Sequence, residues 1–91
     1  MTHAETLDQI PKGHSVRVLG VAGEDPIARR LNDLGIREGT VIEVVRRAPL
    51  GDPTVFELRG YQLCLRRTES QRVEVTRDLG EARVSASRGA A

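Results

Sequence analysis

The side chains able to do acid–base, nucleophilic or metal chemistry are few. His3, His14 and the single Cys64 are the only imidazole and thiol groups in the 91-residue chain. No two of them stand at the short spacing of a zinc site. Neither histidine has a Ser or Cys at a spacing that would pair a nucleophile with a base. Most acidic residues alternate outward along strand-like runs, as solvated strand faces do. The chain is therefore expected not to be an enzyme and to need no cofactor. His3 and His14 are the candidate ligands of a partial, exposed site for a divalent transition metal. Acids, water or a second molecule in a weak homodimer would have to complete it. Two surface histidines are the plain alternative.

The remaining chemistry is recognition. Arg46-Arg47 and Arg66-Arg67 are basic doublets at the ends of strand-like runs. A polyanion partner would call for a clear basic excess, whereas 14 basic residues face 13 acidic ones for a net charge of +1. Bases also need stacking platforms, and only Phe56 and Tyr61 are aromatic. No nucleic acid is expected, and no aromatic-lined groove for proline-rich peptides. What stands out instead is Ala48-Pro49-Leu50-Gly51-Asp52-Pro53. Each proline fixes its own φ and pushes the preceding residue out of the α region. Such a loop presents Leu50 to a partner at little ordering cost, or it makes a sharp corner with Leu50 tucked into the core. In the first case Arg46, Arg47 and residues 48–53, with the helix of residues 25–34, form the partner-binding face.

The elements that position these residues follow from local patterning. His14 to Val21 alternates with Val16 and Val18 on one face, a strand signature. Asp25 can N-cap a helix, and Pro26 suits its first position. Ile27, Leu31 and Leu34 then form one apolar stripe. Arg29 and Asp33 are spaced to pair at i, i+4. Gly35 fits a left-handed cap that lets Ile36 fold back on Leu31. Further strands are expected over Thr40–Ala48, Thr54–Leu58, from Tyr61 to Leu65, and near Gln71–Thr76. Leu7 and Ile10 are placed to clip onto the body. The run from Asp78 to Ala91 is small and polar, and is expected to form a loose tail. No apolar run approaches the ~20 residues of a membrane span, and the first residues do not read as a secretory leader. About five short strands with one helix between the first two suggest a small closed barrel, which removes exposed sheet edges.

Several of these residues carry a resemblance. Arg30-Leu31-Asn32-Asp33-Leu34-Gly35-Ile36 followed by Gly39 resembles the signature of the FeoA family of bacterial ferrous iron uptake. The similarity continues through Val44-Val45-Arg46-Arg47 and the run Ala48–Pro53, then Leu63, Leu65-Arg66 and the last strand. It covers roughly residues 6–77, leaving 1–5 and 78–91 as flexible ends. Ser70 departs from the pattern, where the family often has Ala. The resemblance implies a mainly β, SH3-like barrel with an inserted helix. It implies a cytoplasmic, regulatory accessory protein, itself outside the membrane. Its partner would be the FeoB-type membrane iron transporter, which carries a GTPase domain. Leu34, Gly35, Arg46, Arg47, Ala48, Pro49, Leu50, Gly51, Asp52 and Pro53 are then the candidate contact residues. The alternative is a module that itself binds Fe(II) or Zn(II), or responds to it.

Overall fold

The computed structural model describes residues 5–79. The alternating runs become strands β2 (Ser15–Val21), β3 (Val41–Arg47), β4 (Thr54–Leu58), β5 (Tyr61–Leu65) and β6 (Val73–Thr76). A two-residue strand β1 (Glu5–Thr6) precedes them. One antiparallel sheet runs in the order β1-β6-β2-β3-β4-β5. Among the described residues the expected five strands are six, and the sheet does not close. β1 pairs only with β6 and β5 only with β4, so each is an edge. Most inward residues are those the period-two pattern selects: Val16, Val18, Ile42, Val44, Phe56, Leu58, Leu65, Val73 and Val75 are all buried. On the edge strand β5, however, Tyr61 shares the alternation of Leu65 yet is exposed, and Leu63 is only partly buried. Leu7, the first residue of a 3₁₀ turn at Leu7–Gln9, and Ile10, its C-cap, are fully buried in the same core.

Helix α1 (Pro26–Asp33) starts and stops as its sequence dictates. Asp25 accepts a hydrogen bond from the Ala28 amide at 3.3 Å, satisfying one of the first turn's free donors. At the other end Ile36 N–H donates to Leu31 O at 3.1 Å and Gly35 N–H to Asn32 O at 3.0 Å. Those two bonds are the full Schellman pattern. It needs a left-handed residue, and Gly35 has φ 98°. Leu31 and Ile36 are thereby driven into the core. The Arg29–Asp33 pair does not form among the described residues. The helix's ion pair is instead Arg30 with Glu69, because Glu69 sits on a second helical turn, α2 (Arg67–Ser70), against α1.

Two irregularities interrupt the ladder. β2 and β6 shift register between Val18 and Gly20. β3 and β4 shift between Val44 and Arg46, so Val45 is an extra residue on β3. Ser70 is buried at 2% exposure. Its hydroxyl reaches Arg67 O at 3.5 Å. Residues 1–4 and 80–91, which carry His3 and most of the expected tail, lie outside the described residues. Leu79 is buried.

Candidate docking face

The loop between β3 and β4 is a built turn. Gly51 N–H donates to Ala48 O at 2.7 Å, and Ala48 N–H to Pro53 O at 3.0 Å. Pro49 and Pro53 hold φ between these bonds. Asp52 does not project freely. Its Oδ1 accepts from the Arg67 backbone amide at 2.9 Å, fastening the loop to α2. Glu69 of α2 accepts from the Arg66 amide at 2.9 Å through one oxygen and from Arg30 of α1 through the other. Loop, α2 and α1 are therefore joined by named contacts. The two parts of the expected face are contiguous through an element that sequence reasoning missed.

Leu50 is not the core residue of a sharp corner. It is 94% exposed at the tip of this loop. Pro49 is exposed, Ala48, Gly51 and Pro53 are partly covered, and Asp52 is exposed apart from its one bond.

The arginine doublet divides. Arg46 is exposed. Arg47 turns inward, and its guanidinium donates to the backbone oxygens of Ile10 and Asp8 and to Thr54 Oγ1. It holds the N-terminal segment over the core and is not a free contact residue. Leu34 and Gly35 also serve the fold: Leu34 packs against the core, and its carbonyl accepts from the Tyr61 hydroxyl. The Gly35 carbonyl accepts from Thr40 Oγ1 at 3.1 Å.

His14 is exposed just ahead of β2. Among the described residues no group of three His, Cys, Asp or Glu side chains converges as a metal site would require. Cys64 is an exposed free thiol on the edge strand. No helix among the described residues is long and apolar enough to cross a membrane.

A second electrostatic feature lies elsewhere, at the start of α1. Arg72 grips Asp25 with two bonds of 2.7 Å. That guanidinium, helped by the Ala28 amide, holds the Asp25 carboxyl down at about 2 against the opposing effect of its partial burial. The Arg72 pKa is raised by the same contact. Nearby, between β2 and α1, lies an open groove of about 620 Å³. Leu19 and Val21 line one side and Arg29 and Asp33 the other.

The comparisons fit this architecture. Residues 5–77 match the FeoA domain family. The chain is 30% identical over 69 residues to a Fe(2+) transport protein A/Fe(2+) transporter FeoB fusion protein of Porphyromonas gingivalis (strain ATCC BAA-308 / W83). The match takes in 76% of this chain but 8% of that protein. Among solved structures, a FeoA-like protein from Clostridium acetobutylicum aligns with TM-score 0.77 at 37% identity, covering 82% of this chain and 87% of that one. A zinc-complexed FeoA from Stenotrophomonas maltophilia, described as a prokaryotic SH3 domain protein, aligns with TM-score 0.69 at 34% identity, covering 77% and 87%.

Proposed function

Because the chain belongs to the FeoA family, we propose that it is a non-enzymatic, cytoplasmic accessory protein of ferrous iron uptake. It docks on the cytoplasmic part of a FeoB-type transporter. One observation carries this reading. A relative holds the A protein and the FeoB transporter in one polypeptide. Covalent linkage is useful when two modules act side by side, because it sets a high effective concentration. The chain supplies a surface suited to such docking. The 48–53 loop is fixed before any encounter, so little ordering cost falls on binding. α2 joins it to α1, so the face spans both.

Co-purification tests the reading. The full chain should be retained by the intact transporter in nanodiscs and not by nanodiscs alone. In cells, Leu50→Asp with Asp52→Lys should lower iron uptake while protein levels hold. Unchanged uptake would count against the loop.

A second reading has an observation of its own, the zinc complex of the Stenotrophomonas relative. Here the module would bind Fe(II) or Zn(II) through His14, with a second copy completing the shell. Calorimetry with each ion on wild type and His14→Ala addresses it, and identical isotherms would remove His14.

A further inference from the structure

Leu50 is the one large apolar side chain that stands almost wholly in solvent among the described residues; next comes Tyr61 at 40%. Its surroundings are basic. Arg46 lies on the outer side of β3 next to Val55. Pairing of Thr54 with Leu65 brings the start of α2, with Arg66 and Arg67, beside Pro53 at the loop's base. The Arg67 guanidinium lies 3.5 Å from where a Cβ on Gly51 would sit. All three arginines are exposed. Elsewhere Arg30, Arg72 and Arg77 each hold a carboxylate. Among the described residues, Arg46, Arg66 and Arg67 hold none. Arg29, Arg37 and Arg59 form no ion pair among the described residues either, but their own segments carry no large apolar side chain as exposed as Leu50. The loop's own acid, Asp52, keeps its charge but is fastened by the Arg67 backbone amide, so three arginines face one carboxylate at the tip.

We infer that this tip is a leucine anchor ringed by guanidinium groups that hold no carboxylate, and that it fits an apolar pocket rimmed by carboxylates on the partner. The inference rests on docking to the transporter and adds the chemistry of the receiving surface. The physical case has two parts. An apolar side chain on a fixed loop enters a pocket with little loss of freedom, which is how interface anchors work. Guanidinium forks match carboxylates in geometry and charge and steer the encounter. An anionic lipid surface would feel the same charge. One leucine beside three arginines, however, is little hydrophobic insertion for stable membrane anchoring. A nucleic acid would lack stacking platforms here.

Biolayer interferometry of the full chain on the intact transporter in phosphatidylcholine nanodiscs tests this. Empty nanodiscs rich in phosphatidylglycerol are the second arm. The wild type should bind the transporter more weakly at about 250 mM than at about 50 mM NaCl, because the rim charges become screened. Leu50→Asp should weaken binding by about 30-fold or more, and Leu50→Met should stay within about threefold. Arg46→Glu with Arg66→Glu should weaken it by about tenfold, mostly through slower association, and abolish the favourable low-salt effect. Thermal melts of each variant confirm that it is folded. If Leu50→Asp and the double reversal bind like wild type, the inference fails while docking itself stands. If the wild type does not bind the transporter, both fail. Equal retention on the empty anionic discs would overturn the inference in favour of lipid.

Discussion

The α1 corner and the 48–53 loop are both built with arginine, and they use it in opposite ways. At the corner Arg72 closes on Asp25, which is already the helix cap. Donors and acceptors there are consumed by the fold. At the loop the backbone is just as firmly held, by two internal hydrogen bonds and the Asp52–Arg67 contact. Yet among the described residues three guanidinium groups there are left without acids. Rigidity alone therefore does not mark a docking surface. The loop joins to its rigidity three exposed arginines and an exposed leucine, the features on which the proposed docking rests.

Breaking the doublet gives the clearest contrast. Arg47→Ala should destabilise the domain by about 1.5–3 kcal/mol, since charged hydrogen bonds to the Ile10 and Asp8 carbonyls are lost. Arg46→Ala should stay within about 0.5 kcal/mol. Urea unfolding of the two variants checks this, and equal losses would mean that the doublet acts as a unit. Gly23→Ala comes next. Its φ of 93° disfavours a side chain, and a Cβ there would lie 2.8 Å from Arg72 Nη1. It should cost about 1 kcal/mol or more and also loosen the Asp25 grip, as the same unfolding measurement would show.

The pH dependence sharpens the corner further. Asp25 is depressed from 3.8 to about 2 in the folded state. Its contribution is therefore complete above pH 4 and lost as pH falls through 4 towards 2. Asp25→Asn should be less stable at neutral pH, and the gap to wild type should narrow across that window. A constant gap would show that the carboxylate charge is irrelevant. The smallest effect is expected at the α1–α2 link. Glu69→Gln keeps an acceptor for the Arg66 amide but loses the ion pair with half-exposed Arg30, worth at most about 1 kcal/mol.

Much of the fold can be read residue by residue, because its signals are local. The cap at Asp25, Pro26, the Leu31 stripe and Gly35 lie within a dozen positions, and they specify α1 together. The alternating valines and leucines specify β2 to β6 in the same way. β1 is illegible because two residues carry no period. α2 is illegible because Arg-Thr-Glu-Ser has no apolar stripe, and its support comes from Arg30 and Asp52, far away in sequence. The prolines make the candidate loop visible. They do not say that Leu50 faces solvent or that Asp52 is tied down. The inward turn of Arg47 is hidden for the same reason, since its partners at Asp8 and Ile10 are nearly forty positions away. The open sheet, in place of a closed barrel, depends on β5 finding no second partner among the described residues, a long-range outcome.

The extra residue at Val45 has a consequence for the doublet. Counting on from Ile42 and Val44, strict alternation would turn Arg46 to the core and Arg47 to solvent. The bulge resets the phase, so Arg46 faces out and Arg47 faces in. Which guanidinium braces the N-terminal segment and which stands in solvent is thus decided by backbone parity, since two identical side chains cannot decide it themselves. Ironing the bulge flat with Val45 retained would exchange their assignments without altering either arginine. Deleting Val45 would instead preserve them, because Arg46 would then follow Val44 directly, still opposite Val55.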